Sequence, residues 1–213
     1  MTLRSPTFKV RVRGPYACFT RPEFKAERVS YEVMTPSAAR GILEAVLWKP
    51  AISWRVQRIH VLAPIKLVAI KRNEVAKKAS LGADIGRYFA DEDRAQRNTL
   101  MLRDVDYIVE ASFALTDKAA PDDNMQKFVE MFRRRLAKGQ CFHTPYLGCR
   151  EFAAQVEPAP EGWEIPEEFR GQRDLGMMLH DLDFEPEGSG RALPYFFPAT
   201  LDNGRVEIPA VPR

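Results

Sequence analysis

Three histidines are the side chains of this 213-residue chain whose ordinary pKa lies near neutrality, so they are the first candidates for moving protons. His60 lies between Ile59 and Val61 in a strand pattern, and His180 lies in a predicted strand near the end of the chain. Both are interpreted as structural residues. His143 lies in the loop sequence QCFHTPYLG, whose glycine and proline are typical of a functional loop. His143 is therefore the candidate for acid–base chemistry or ligand contact.

A second group of side chains could hold a single-stranded nucleic acid. The strand pattern at residues 7–13 alternates apolar residues with Lys9, Arg11 and Arg13, so one of its faces is basic. The loop that follows carries both cations and aromatic rings, namely Arg21, Phe24, Lys25, Arg28 and Tyr31. Cations neutralise phosphates and flat rings stack on unpaired bases, so this combination favours single-stranded nucleic acid.

Composition limits the other kinds of chemistry. The net charge of +3 is mild and identifies no partner by itself. Three cysteines without CxxC spacing predict reduced thiols in a cytosolic protein. The acidic pair Asp91 and Asp93 lacks further ligands, so we expect neither a metal nor another cofactor. No stretch approaches the ~18 apolar residues of a transmembrane helix, so we expect no contact with a membrane.

Alternating strands and helices must position these candidates. Apolar periodicity predicts strands over 7–13, 52–61, 105–115 and 150–156, and helices over 36–48 and 123–138. Thr35 and Pro36 have the residue types of a helix start, and Gly139 has that of a helix end. Ile59 and Val61 fall out of phase with the earlier part of their strand, which predicts a β-bulge.

The resulting order, βαββαβ, is the ferredoxin-like arrangement found in RNA-recognition modules, so the predicted fold class is α+β. This domain is predicted to span residues 1–157. Residues 158–213 are predicted to form a small β-rich C-terminal domain, with short antiparallel strands near 173–183, 195–200 and 205–208 beside the main domain. The basic segment 71–103 is interpreted either as a solvated surface loop or as a hairpin that binds nucleic acid.

Several sequence blocks, in order along nearly the whole chain, resemble a known family. They are FTRPE, ERVSYEV, TPSAARGILEA, WKP, RRNEV, RAQRNTLMLRDVDYIVEASF, FRRRLAKG, LGCREF and RDLGMMLHDLDF. Through them the chain resembles the CRISPR-associated Cas family five in its type I-C (Dvulg) form. The resemblance implies an endoribonuclease that cuts the repeat of precursor CRISPR RNA without metal, through attack by a ribose 2′-OH. It also implies that the protein stays on the crRNA 5′ handle, beside the backbone and large subunits of the interference complex.

The resemblance further implies a set of catalytic positions, of which this chain keeps only part. The family has a Tyr or His near the end of the first helix and a Lys–His pair early in the second. The matching residues here are Leu47, Lys127 and Phe128. We therefore predict Lys127, and more weakly His143, as catalytic residues. Restoring Tyr and His is expected to raise the cleavage rate at least about tenfold. The alternative is a catalytically weak or silent RNA-binding scaffold of the same complex.

The predicted RNA contacts combine the cationic loop, the basic strand face, the basic segment and the second helix. They are Arg11, Arg21, Lys25, Tyr31, Lys49, Arg72, Arg94, Arg97 and Arg134. The same cations could hold double-stranded DNA without sequence preference, because phosphate contacts carry no sequence information. A third interpretation is a single-strand binder outside CRISPR systems, which the ordered sequence blocks disfavour.

Overall fold

The computed structural model describes residues 3–24, 26–76, 93–184 and 192–210. Its two α-helices are α1, Pro36–Val46, and α2, Met125–Ala137. The strands are β1 Phe8–Ala17, β2 Arg28–Val29, β3 Ile52–Val61, β4 Lys66–Val75, β5 Arg94–Leu115, β6 Gln155–Pro158, β7 Gln172–Phe184, β8 Ala192–Asp202 and β9 Arg205–Glu207. The strand predicted over 150–156 begins only at Gln155. A turn precedes it, in which the Phe152 amide donates to the Cys149 carbonyl.

One large sheet organises these elements in the order β6–β1–β5–β3–β9–β8–β7, with β2 and β4 also paired to β5. Strand β5 runs antiparallel to both β1 and β3. The predicted β-bulge in β3 is confirmed, because the register with β5 shifts between Val56 and Arg58. The sequence predicts a separate C-terminal sheet, and the structure corrects this. Pairing of β9 with β3 joins the last three strands to the main sheet.

The central strand β5 is much longer than the sequence predicts. Its first part, Arg94 to Arg103, pairs with β4 in an antiparallel hairpin, and its second part pairs with β1 and β3. Asp104, between the two parts, adopts a positive φ of 54°. The hairpin part has mostly polar side chains, so it lacks the apolar alternation by which a buried strand is recognised in a sequence. The basic segment 71–103 accordingly contains two strands, while residues 77–92 lie outside the described part.

The helix boundaries follow local capping chemistry. The Ala38 amide donates to the Thr35 hydroxyl over 3.3 Å, so the predicted cap of α1 is confirmed. Helix α1 ends slightly earlier than predicted, because Leu47 is already extended at φ −144°. Helix α2 is capped by Asn124, whose side-chain oxygen accepts from the Lys127 amide at 2.9 Å. Gly139, with φ of 62°, follows its end as predicted.

Four aromatic rings form the centre of the core between the sheet and α2. Phe8, Trp54, Phe113 and Phe132 lie with neighbouring ring centroids 4.7–5.8 Å apart, mostly edge to face. Phe128 is also buried in the same cluster, as its place in the apolar stripe of α2 predicts. Because these rings come from β1, β3, β5 and α2, their packing fixes the helix on the sheet.

On the sheet, His60 and Glu110 form a buried pair that makes stability depend on pH. The His60 Nε2 and Glu110 Oε1 atoms lie 3.1 Å apart. Burial lowers the pKa of His60, and the charges of Arg205 and Arg58 add to this, against the effect of Glu110. Burial alone would raise the pKa of Glu110, but His60 and Arg58 lower it overall.

Because both pKa values are lower in the folded state, the unfolded state binds more protons as the pH falls, and the free energy of unfolding should decrease on acidification. The first decrease should come below the ordinary His60 pKa of 6.5 and the second below the ordinary Glu110 pKa of 4.5. We expect the melting temperature to decrease from pH 7.5 to 5.5. The decrease should be smaller in His60→Gln, which does not titrate. Equal decreases in parent and variant would assign the pH dependence to other groups.

Candidate functional site

Three arginines and two glutamates form a compact surface group, called here the arginine cluster: Arg28, Arg72, Arg97, Glu74 and Glu151. Arg28 reaches Glu151 at 2.8 Å and Glu74 at 3.5 Å, and Arg97 reaches Glu74 at 3.4 Å. Arg72 contacts both glutamates. Burial alone would raise the pKa of Glu151, but hydrogen bonds and the two nearby arginines lower it. The cluster thus holds one more cation than carboxylate.

Four of the sequence blocks that carry the family resemblance meet in this cluster. Strand register places Arg72 directly opposite Arg97, and Arg28 opposite Thr99 in the same part of β5. Glu151 reaches the group from the LGCREF loop. Sequence reasoning named Arg72 and Arg97 as RNA contacts, but it missed that Glu74 and Glu151 orient them. The acidic residues of RRNEV and LGCREF were the available signal.

Two residues of the first loop have roles that differ from the predicted ones. Tyr31 is only 1% exposed, and its hydroxyl accepts a hydrogen bond from the Leu179 amide at 3.2 Å. The prediction that Tyr31 stacks on RNA is therefore wrong, because its ring is a core element. Arg21 covers that ring, with its guanidinium carbon 4.5 Å from the centroid, and also pairs with Glu23.

The remaining predicted RNA contacts divide into paired and exposed side chains. Arg11 is held by Asp106 through two hydrogen bonds, at 3.0 and 2.7 Å, so an RNA phosphate would have to compete with this carboxylate. Lys49, Arg94 and Arg134 are exposed. Lys25 lies outside the described residues. Arg94 belongs to the same β4–β5 hairpin as Arg72 and Arg97, whereas Lys49 follows α1 and Arg134 lies on α2.

Lys127 lies in the first turn of α2 with its side chain partly exposed. Its ammonium contacts Asp123 at 2.8 Å and Asp122 at 3.7 Å. The hydrogen bond that the ammonium donates to the Asp123 carboxylate raises the pKa of Lys127, so the side chain remains an ammonium at neutral pH. Lys127 can therefore stabilise negative charge, but it is a poor proton donor.

The loop that carries His143 is attached to the end of α1. The Phe142 amide donates to the Ala45 carbonyl at 2.6 Å, and Arg135 donates to the Val46 carbonyl at 2.9 Å. These contacts hold the loop beside the end of α1, where the family resemblance predicts a Tyr or His at the position of Leu47, and the His143 imidazole is exposed. The Nδ1 atom lies 3.1 Å from the Thr144 carbonyl oxygen.

Among the described residues Lys127 and His143 make no direct contact, since Lys127 pairs with Asp122 and Asp123 whereas the His143 ring lies against the Thr144 carbonyl. Arg135, the α2 residue that reaches the end of α1, lies eight residues beyond Lys127, which is about 12 Å along the helix axis. Leu47 is fully buried and Phe128 is 2% exposed, so neither family position presents its side chain to solvent. Two exposed rings were missed by sequence reasoning: Phe142, whose ring centroid lies 6.1 Å from that of His143, is 70% exposed, and Trp48, just after α1, is 54% exposed.

Two negative findings bear on the class of site. In the part of the chain that the structure describes, no group of three or more His, Cys, Asp or Glu side chains could hold a metal ion. Within the same residues, no helix is long and apolar enough to cross a membrane.

Comparison with known proteins covers nearly the whole chain. The model of the CRISPR-associated protein family Cas5d matches residues 7–209. The chain is 46% identical to "CRISPR pre-crRNA endoribonuclease Cas5d" of Mannheimia succiniciproducens, with 94% of each chain covered. It is 48% identical to the protein of the same name from Thermus thermophilus, with 95% of this chain and 91% of that one covered.

Solved structures agree with this assignment at the level of fold. A crystal structure titled as a CRISPR-associated protein aligns over 99% of this chain and 95% of its own, with a TM-score of 0.73 and 25% identity. A functionally uncharacterized protein from Streptococcus mutans, at 23% identity, gives a TM-score of 0.72 over 99% and 95% of the two chains and supports the fold alone. The chain belongs to the Cas5d family of CRISPR-associated proteins.

Proposed function

We propose that the protein is an endoribonuclease that cleaves precursor CRISPR RNA within the repeat. The observation that carries this proposal is the near-complete similarity to two relatives whose names state that activity. We further propose that cleavage proceeds without metal, through attack of a ribose 2′-OH on the adjacent phosphate. Such a reaction needs a base for the 2′ proton, a cation for the phosphorane and an acid for the leaving oxygen.

In this proposal Lys127 supplies the cation and His143 takes part in proton transfer. The raised pKa of Lys127 supports a purely electrostatic role. The exposed imidazole of His143, beside the end of α1, supports access to a ribose at the family's Tyr/His position. Because the two side chains make no direct contact, the RNA itself would have to bridge them. Tyr146, whose ring centroid is 6.2 Å from that of His143, and Phe142 would flank the imidazole.

We also propose that residues 1–157 form a ferredoxin-like RNA-binding domain and that residues 158–213 form a small β-rich C-terminal domain, whose strand β9 extends the main sheet beside β3. The sheet order β6–β1–β5–β3, with one helix between β1 and β3 and the other between β5 and β6, supports the βαββαβ arrangement. After cleavage the protein would stay on the crRNA 5′ handle, next to backbone and large subunits of a type I-C interference complex in the cytoplasm. Duplex DNA is a further, nonspecific partner in this proposal.

The second candidate function is an RNA-binding scaffold without useful catalysis. One observation favours it: Leu47 and Phe128 are apolar and buried where the family has proton-transfer residues. A scaffold needs only the cationic surface, which this chain retains in the arginine cluster. Cleavage of cognate repeat RNA in EDTA separates the two functions, because a scaffold would bind this RNA and leave it intact.

The RNA interface can be tested through the arginines of the β4–β5 hairpin. We expect Arg72→Ala, Arg94→Ala and Arg97→Ala each to weaken binding of the repeat RNA. Each lost phosphate contact should reduce the slope of log affinity against log salt concentration by about 0.7. Fluorescence anisotropy at several salt concentrations measures both quantities.

A matched control is Arg170→Ala, which removes an arginine that is 78% exposed and paired with Glu167 near the C-terminal strands. It should leave both affinity and salt slope unchanged. Because Arg72 also holds Glu74 and Glu151, circular dichroism should establish that its variant is folded. A folded variant that combines all three substitutions and keeps the parent's affinity and salt slope would show that RNA binds on another surface.

A further inference from the structure

Two cysteines from distant parts of the chain meet next to the arginine cluster. The Cys149 sulfur lies 3.5 Å from the Cys18 carbonyl oxygen. The Thr20 hydroxyl lies between the two sulfurs, 3.7 Å from that of Cys18 and 3.8 Å from that of Cys149. Arg28 points a guanidinium nitrogen at the Cys149 sulfur over 3.4 Å. A cation, a hydroxyl and a second thiol therefore surround the Cys149 sulfur.

The backbone holds this arrangement closely. The Cys18 amide donates to the Leu147 carbonyl at 3.0 Å, which ties the end of β1 to the LGCREF loop. Gly148 has a φ of 83°, and a Cβ atom there would collide with the Cys18 carbonyl oxygen. Only glycine allows this close approach, and it sets the next residue, Cys149, directly over Cys18. The proximity of the two thiols is thus a consequence of the loop and not of flexible side chains.

The electrostatics favour a thiolate at one of the two positions. The hydrogen bond from the Cys18 thiol lowers the pKa of Cys149 to about 6, helped by Thr20 and Arg28, while burial and Glu151 act against it. The same contact raises the pKa of Cys18, which is fully buried. Partial burial raises the pKa of Cys141, whose residue is otherwise exposed at the surface. Arg72 pairs with Glu151, the carboxylate whose charge acts on Cys149.

We propose that Cys149 is a reactive nucleophilic thiol that peroxides and alkylating agents modify selectively, with Cys18 as the thiol that resolves its oxidised form into a disulfide. This proposal goes beyond RNA processing and does not depend on it. Its basis is the sulfur, hydroxyl and guanidinium geometry, which is independent of where RNA binds.

The oxidation proceeds in two balanced steps with hydrogen peroxide as the oxidant. The Cys149 thiolate attacks one peroxide oxygen, the O–O bond breaks, and hydroxide leaves to give a sulfenic acid. The Cys18 thiol then attacks the Cys149 sulfur, the S–O bond breaks, and water forms from the released hydroxide and the thiol proton. Two thiols have lost two electrons to one peroxide, and the end of β1 is covalently joined to the loop.

The first test uses alkylation of the intact protein by iodoacetamide at pH 5 to 9, with site occupancy read by mass spectrometry. The Cys149 rate should reach half its plateau near pH 6, while the Cys141 rate should still be rising at pH 9. At pH 6 Cys149 should react at least about tenfold faster than the more exposed Cys141. Arg28→Gln should move the Cys149 midpoint to higher pH. A Cys149 profile that matches that of Cys141 would overturn the proposal.

The second test is peroxide treatment of the parent and of two single variants. The parent should lose the mass of two hydrogen atoms and yield a peptide that links Cys18 to Cys149. In Cys18→Ser the sulfenic acid of Cys149 should persist and be trapped by dimedone. Cys141→Ser, the matched control, should behave like the parent. Oxidation of Cys141 before Cys149, or oxidised Cys149 without a link to Cys18, would contradict the assignment.

Discussion

Lys127→Ala is expected to slow single-turnover cleavage of the repeat RNA by about 10²-fold or more, the usual cost of removing one group that stabilises transition-state charge. The ammonium contacts Asp123 at 2.8 Å, which keeps it charged in the pH range of the reaction. Lys127→Arg retains the charge and should recover part of the rate. His143→Ala should slow cleavage by a smaller factor than Lys127→Ala.

Two controls separate catalysis from general loss of positive charge. Lys118→Ala removes an exposed lysine from the loop before α2, and it should leave the cleavage rate near that of the parent. Asp123→Asn removes the carboxylate that holds Lys127, and it should retain activity because the ammonium remains. If Lys127→Ala cleaves as fast as the parent, the active site lies elsewhere and the assignment from the family pattern is wrong.

The double variant Leu47→Tyr with Phe128→His is expected to lose about 3–5 kcal/mol of unfolding free energy. Sequence reasoning instead expects this variant to cleave at least about tenfold faster. The structure changes the expectation, because Leu47 is fully buried and Phe128 is 2% exposed. A tyrosine ring overpacks the first site, and an imidazole loses apolar contacts and lacks a partner at the second.

Urea unfolding of the parent and the variants measures this loss, provided that the slopes agree. Leu47→Met is the matched control, because it conserves volume and should cost less than about 1.5 kcal/mol. A double variant that is as stable as the parent and cleaves at least tenfold faster would contradict the burial argument. It would also show that both side chains can reach the RNA from these positions.

Periodicity and capping were sufficient to predict both helices and the strands β1 and β3. Thr35 and Pro36 marked the start of α1, and the phase change at Ile59 marked the bulge, because both are local properties of the chain. The hairpin part of β5 could not be recognised in this way. From Arg94 to Thr99 its side chains, apart from Ala95, are polar, so the strand signal there is a backbone ladder with β4, which is a long-range interaction.

The site was predictable by residue type but not by environment. Residue type alone predicts Arg72 and Arg97 as RNA contacts, but it does not reveal their carboxylate partners, which come from Glu74 and from Glu151 far along the chain. Tyr31 has the residue type of a stacking ring, but β7 covers it and the Leu179 amide binds its hydroxyl. Burial depends on which elements pack together, and no local pattern of Tyr31 records that packing.

The most direct test of the central claim is a single-turnover incubation of the parent protein with its cognate repeat RNA in EDTA. The account predicts one cut in the repeat, with a 2′,3′-cyclic phosphate on the upstream product and a 5′-OH on the downstream product. A matched RNA with a single 2′-deoxy nucleotide at the cut should bind equally well and stay intact. RNA that is bound tightly but never cut, or a deoxy RNA that is cut, would contradict the account.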